Sequence, residues 1–137
     1  MDTKAHWDRV YESRGPTEVS WYEPHLRTSL DLIARTGVAP DARIIDVGGG
    51  ASTLVDDLLH GGYRGVTVLD VSDKALAGAK ARLGARAGDV AWIEGDVTQA
   101  VLLRRGYDVW HDRAVFHFLT DAADRRAYVG AVRQALR

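Results

Sequence analysis

The chain of 137 residues contains no cysteine. That excludes disulfides, thiolate nucleophiles and cysteine-ligated zinc or iron–sulfur centres, and it fits a reducing compartment, so a cytoplasmic location is expected. No apolar run approaches the roughly 20 residues needed to span a bilayer, and Met1-Asp2-Thr3-Lys4 leads into charged and aromatic residues rather than an apolar signal region. No membrane partner is expected. Net charge is nearly absent as well, because 18 basic and 19 acidic residues leave −1. Such a balance creates no global field to gather nucleic acid, which is therefore not expected as a partner. No Gly-Lys-Ser/Thr follows a glycine loop, which excludes a P-loop. No side-chain cluster suggests a metal, and there is no repeat, low-complexity tract or long linker. What remains, 46% hydrophobic and 27% charged, is the composition of one ordinary globular domain.

Periodicity organises the chain into two segments. Residues 1–37 hold Trp7, Tyr11, Trp21 and Tyr22, interrupted by Gly15-Pro16, and then a helical pattern of Leu26, Leu30 and Ile33 closed by Gly37. This reads as an aromatic lid followed by a helix. Residues 38–137 alternate between strand and helix. Arg43–Val47 is an apolar, β-branched strand stopped by Gly48-Gly49-Gly50. Thr53 with Asp56 predicts a capping box for a helix through His60. Val66–Asp70 is the second strand, and Ser72 caps a helix to Leu83-Gly84. Val90–Ile93 is the third strand, a helical turn is expected around Ala100–Arg104, and Tyr107–His111 is the fourth strand. A last helix starts after Thr120 and is expected to run on at Arg137. Short loops between alternating elements predict right-handed βαβ units and a parallel sheet with flanking helices. Ligands of such sheets bind at the carboxyl ends of the strands.

Those ends carry the informative residues. After Asp46, the loop Gly48-Gly49-Gly50 lets the backbone turn sharply and approach a ligand, and the helix beyond it offers free N–H groups. A tight strand–helix turn is the plain alternative. Asp70 ends the second strand twenty residues after Gly50, a position suited to bonding two ribose hydroxyls; a helix-capping carboxylate is the plain alternative. Asp96 and Val97 end the third strand, where a carboxylate and a backbone N–H beside an apolar side chain suit an adenine. A nicotinamide dinucleotide is disfavoured because Thr53 stands at the third glycine position of G-x-G-x-x-G and Asp46 adds negative charge near a pyrophosphate.

Asp46-x-Gly48-x-Gly50, then Asp70, then Gly95-Asp96-Val97, and the segment Tyr107-Asp108-Val109-Trp110-His111-Asp112-Arg113-Ala114-Val115-Phe116-His117-Phe118 together resemble the class I S-adenosylmethionine-dependent methyltransferases. The resemblance runs through essentially the whole chain. It implies a Rossmann-like α/β fold, truncated here to about four strands because the family's C-terminal strands are not found. It implies that Asp46 holds the methionine ammonium group, and that Gly48, Gly49 and Gly50 pass close to the methionine portion. Asp70 and Val71 would bind the ribose, and Asp96 and Val97 the adenine. His111 and Asp112 would face the transferred methyl as candidate catalytic residues, with His111 also touching the cofactor. Trp21 and Tyr22 would close over it from the lid. His117 is a second candidate base, with a structural histidine the more expected role. Asp112-Arg113-Ala114-Val115 lacks the Asn/Asp-Pro-Pro-Tyr/Phe pattern of amino-methylating nucleic-acid enzymes. The implied function is methyl transfer to a small-molecule or protein acceptor. The alternatives are a non-catalytic module that binds S-adenosylmethionine or S-adenosylhomocysteine, and a nicotinamide-dependent oxidoreductase, disfavoured further by the absence of a Tyr-x-x-x-Lys pair. Without a fifth strand, the fourth strand would be an edge open to pairing in a homodimer.

Overall fold

The computed structural model describes residues 25–112, 115–116 and 119–137; the expected aromatic lid, with Trp21 and Tyr22, and His117 lie outside them. Helix α1 (Arg27–Arg35) precedes strand β1 (Arg43–Val47), then α2 (Leu54–His60), β2 (Gly65–Asp70), α3 (Asp73–Leu83), a 3₁₀ stretch (Gly84–Asp89), β3 (Ala91–Glu94), β4 (Val109–Asp112) and α4 (Ala122–Ala135). The four strands form one parallel sheet in the order β3-β2-β1-β4. This is the expected Rossmann-like α/β fold, with β1 central.

Alternation along β1 sends its side chains to two cores. Ile44 joins Leu26 before α1 and Ile33 within it, Leu54, Val55 and Leu58 of α2, and Val66 and Val68 of β2. Ile45 and Val47 join Leu69, Val97 and Tyr128 of α4 on the opposite face. Both faces of β1 are covered, so all four of its last residues are buried, as a central parallel strand requires. Helix α1 therefore belongs to the same core as the sheet. Gly37, in the left-handed region at φ 70°, ends it as expected.

Four local expectations are corrected. The box of Thr53 and Asp56 does not form: Thr53 makes no side-chain cap bond, and Ser52 Oγ accepts from the Leu54 N–H instead at 3.0 Å. Asp56 is held by Arg82 of α3, at 2.8 Å from Nε and 2.7 Å from an Nη. The turn expected at Ala100–Arg104 forms earlier. Asp96 Oδ1 accepts from the Thr98 N–H and hydroxyl, and the Asp96 carbonyl accepts from Gln99 and Ala100. Such a side-chain-to-backbone bond nucleates a turn, whereas Val101, 97% exposed, gives a helix there nothing to bury.

The fourth strand is Val109–Asp112 rather than Tyr107–His111, and the last helix stops at Ala135 rather than running past Arg137. These two corrections share one cause. Leu136 turns extended and bridges Tyr107 in parallel, with Tyr107 N–H bonded to the Ala135 carbonyl at 3.0 Å and Arg137 N–H to the Tyr107 carbonyl at 3.1 Å. A helical Leu136 could not make that ladder. Ser72, by contrast, caps α3 as expected, accepting from the Ala75 N–H at 3.2 Å, and Asp121 caps α4 through Ala123 at 2.7 Å.

The packing makes a direct prediction. Ile44→Ala, at 0% exposure, should lower unfolding free energy by about 2–5 kcal/mol. Leu32→Ala, at 58% exposure, should stay within about 0.5 kcal/mol of the parent. Urea midpoints of the two variants at constant slope would show it.

Candidate cofactor site

The site starts from register. Asp46 of β1 stands opposite Val68 of β2 and His111 of β4, and alternation points Asp46 and His111 to the α1 side of the sheet. The Asp46 side chain is fully buried and Oδ1 lies 2.8 Å from His111 Nδ1. On the far side of the ring, His111 Nε2 lies 2.8 Å from Ser29 Oγ of α1. The result is a chain of three side chains, Asp46, His111 and Ser29, drawn from β1, β4 and α1. Asp46 Oδ2 is buried with no hydrogen-bond partner among the described residues. Burial raises the Asp46 carboxyl above its ordinary value, while the His111 hydrogen bond and charge pull the other way.

Glycines surround that carboxylate because nothing larger fits. A Cβ at Gly49 would stand 2.1 Å from Asp46 Oδ2. Gly48 adopts φ 76°, and a Cβ there would meet Val115 Cγ2 at 2.1 Å. At Gly50, a Cβ would come within 2.9 Å of both Ala75 and Asp70 Oδ2. The loop's glycines are thus required by the protein's own packing as well as by any ligand that approaches it.

Asp70 holds this loop against the next one. Its Oδ2 accepts from the Gly50 N–H at 3.0 Å and its Oδ1 from the Ser72 N–H at 2.9 Å, with the residue buried. Val71 follows it, half-buried, and Val97 is buried beyond β3. Asp46, Gly48, Gly49, Gly50, Asp70 and Val71 are all placed at the carboxyl ends of β1 and β2, and Asp96 and Val97 follow β3. Structure and sequence agree on this grouping.

His111 and Asp112 separate. They are adjacent in β4, so alternation sends them to opposite faces. Asp112 Oδ1 accepts from the Val115 N–H at 2.8 Å, and Oδ2 from the Phe116 N–H at 3.1 Å and from the Tyr128 hydroxyl. Trp110 Nε1 also donates to that hydroxyl, at 2.9 Å. Burial first, and then the Asp112 bond, push the Tyr128 hydroxyl well above its ordinary value. Asp112 thereby fixes the turn after β4 onto α4. Proton transfer by it would break bonds that hold this turn. Both His111 and Asp112 border a cavity of about 610 Å³ between α1 and β4, walled also by Ser29, Leu32, Ile33 and Val109.

Sequence reasoning missed Ser29, Trp110 and Tyr128. Ser29 lies 82 residues from His111, and a serine in an amphipathic helix carries no local signal of such a contact.

Strand ends bearing a glycine loop and successive acidic residues, on a parallel sheet with β1 central, define a nucleoside-binding domain of the doubly wound class. A family model described as "Methyltransferase domain" matches residues 44–137, and the chain belongs to that family. The "eEF1A lysine and N-terminal methyltransferase" of Mus musculus is 27% identical over 94 residues, 69% of this chain and 13% of that protein. Phosphoethanolamine N-methyltransferase 2 of Haemonchus contortus, solved with S-adenosyl-L-methionine, superposes with a TM-score of 0.80 at 17% identity, covering 100% of this chain and 34% of that one. The glycopeptide N-methyltransferase MtfA with S-adenosyl-L-homocysteine gives 0.70 at 23%, covering 98% and 57%. The chain therefore spans only part of the length of these relatives. Among the described residues, no helix is long and apolar enough to cross a membrane.

The raised Asp46 carboxyl predicts a pH effect. A carboxyl whose folded value exceeds its unfolded one binds protons more readily when folded, so it costs stability as pH rises through the folded value. Asp46→Asn keeps an oxygen for His111 and removes that cost. The ligand-free variant should melt at or above the parent temperature at pH 7, with the difference shrinking toward pH 4. Melting curves across that range (about pH 4–8) would check it, and an Asn variant less stable at pH 7 would contradict it.

Proposed function

We propose that this chain is the S-adenosylmethionine-binding domain of a methyltransferase that transfers a methyl group to a small-molecule or protein acceptor. The carrying observation is Asp46 Oδ2, a buried carboxylate oxygen without a partner among the described residues and pressed against Gly49. A buried carboxylate oxygen left without a donor is costly, and a cationic ligand offsets that cost. The α-ammonium group of S-adenosylmethionine supplies the cation. A nicotinamide dinucleotide would bring a pyrophosphate to the same loop and meet repulsion.

The residues present fit this cofactor. Asp46 would hold its ammonium, the Gly48-Gly49-Gly50 loop would border its methionine portion, Asp70 with Val71 would take the ribose hydroxyls, and Asp96 and Val97 the adenine. Trp21 and Tyr22, outside the described residues, would cover it. When bound, the cofactor supplies an electrophilic methyl on a sulfonium. This chain's contribution is then to orient the acceptor, exclude water and, where the acceptor begins protonated, take up its proton. His111 would take that proton at Nε2, with the Ser29 hydroxyl giving up its bond there, while the Asp112 oxygens hold the turn after β4. Family membership and the methyltransferase names of its relatives support this reading over a binding module alone. A second copy pairing along β4 belongs to the same proposal. It would involve Val109–Asp112, because Leu136 and Arg137 already lie against Tyr107. Work in the cytoplasm, on a soluble acceptor, completes the proposal.

Calorimetric titration should give a saturable signal with S-adenosylhomocysteine and none with NAD. Asp70→Asn should weaken the former at least about tenfold, since hydrogen bonds to a charged group contribute about 1.5–3 kcal/mol. Equal affinity for NAD would overturn the assignment. Transfer of label from methyl-labelled S-adenosylmethionine to fractionated lysate then identifies the acceptor class, and sedimentation at high concentration tests the dimer, which a strict monomer would exclude.

A further inference from the structure

We propose that Ser29 is a positioning residue of the cofactor site, orienting His111 so that Asp46 presents a single free oxygen to the amino group of the bound ligand. This rests on the cofactor reading above and adds to it a residue from α1. Three facts of geometry carry it. Both ring nitrogens of His111 are engaged, Nδ1 by Asp46 Oδ1 and Nε2 by Ser29 Oγ, each at 2.8 Å. The other Asp46 oxygen is buried and unpaired among the described residues. That oxygen sits where a Cβ on Gly49 would intrude.

The argument follows from donor and acceptor counting. A neutral imidazole has one N–H and one lone pair. Toward an ionised Asp46, Nδ1 must be the donor, because a lone pair aimed at a carboxylate oxygen would repel it. Nε2 is then the acceptor of the hydrogen bond that the Ser29 hydroxyl donates. The hydroxyl thus fixes the tautomer and pins the ring from the side opposite Asp46, as a partner on the second nitrogen does for histidines generally. With Oδ1 tied to His111, the carboxylate cannot rotate, and Oδ2 stays directed at the glycine loop. Remove the hydroxyl, and Nε2 faces the α1–β4 cavity, where His111 can turn and release Asp46. Only a ligand that uses Asp46 should register that loss. Ser29 is half-buried in the first turn of α1, so its replacement disturbs little packing.

Two isosteric variants and two ligands test this. Ser29→Val removes the hydroxyl and Ser29→Thr keeps it, both with a β-branched side chain in the same helix. S-adenosylhomocysteine carries the amino-acid portion, whereas 5′-methylthioadenosine carries the adenosine and sulfur without it. Calorimetry on the full chain should show S-adenosylhomocysteine bound about five- to tenfold more weakly by the Val variant than by the Thr variant, and methylthioadenosine bound within about twofold by both. The Thr variant should match the parent. Equal weakening of both ligands by Val would assign Ser29 a merely structural role and overturn the inference, as would unchanged affinity for both. A parent chain that binds neither ligand would remove the cofactor reading, and the inference with it; a parent that binds S-adenosylhomocysteine while the Val and Thr variants bind it alike overturns only the role of Ser29. Should the Val variant fail to fold by thermal melting, Ser29→Ala with the same two ligands gives the same split.

Discussion

Placing a carboxylate at the centre of a parallel sheet is the constraint on which this arrangement turns. Asp46 lies near the end of β1, with strands on both sides and helices over both faces. An isolated charge there would be too costly to keep. Its nearest support is His111, held at 2.8 Å by in-register pairing of β1 with β4. That contact needs β4 beside β1, and it needs α1 on the same face to close the far side of the ring. Strand order, register and the seat of α1 are thereby tied to the protonation and orientation of one side chain. The support is incomplete by one oxygen. A protein folded for stability alone would have satisfied both oxygens or used an apolar residue. The leftover acceptor is the atom that the proposed cofactor's ammonium group would meet.

The two faces of β4 divide the labour that its neighbouring residues share in sequence. His111 serves the α1 side and the cavity. Asp112, one residue on, serves the α4 side, where it gathers two backbone N–H groups and the Tyr128 hydroxyl, itself bonded to Trp110. Phe116 packs against the Tyr128 ring at 5.1 Å. This network anchors the turn beyond β4 to the last helix. Val115 of the same turn reaches back to Gly48, so the turn after β4 and the loop after β1 are in direct contact. A perturbation of Asp112 would therefore be felt at the glycine loop through packing.

The strands were readable because their signal is local. Ile44-Ile45 and Val66 through Leu69 are continuous apolar runs, and only a doubly covered parallel strand has a use for such runs. The acidic residues at the strand ends were readable for the same reason, since each lies within two residues of its strand's last residue. Helix caps were mixed. Ser72 acts within three residues of itself and was legible. Thr53 and Asp56 failed because Arg82, 26 residues from Asp56, competes for the carboxylate. The end of α4 failed for a similar reason: Leu136 leaves the helix to pair with Tyr107, a partner that helical periodicity cannot reveal.

Sequence alone determined the alternation of elements, the parallel sheet, and the loop and carboxylates that gather at its rim, because each depends on spacing within a few residues or one βα unit. Tertiary structure decided which of those residues share a face. Adjacent His111 and Asp112 look equivalent on paper, yet a strand's period of two places them on opposite sides of the sheet. It also decided that Ser29, distant in the chain and unremarkable in its helix, should stand against the histidine ring. Hydrogen bonds between side chains on different elements depend on register and packing angle, and those quantities exist only once the sheet and its helices have closed on one another.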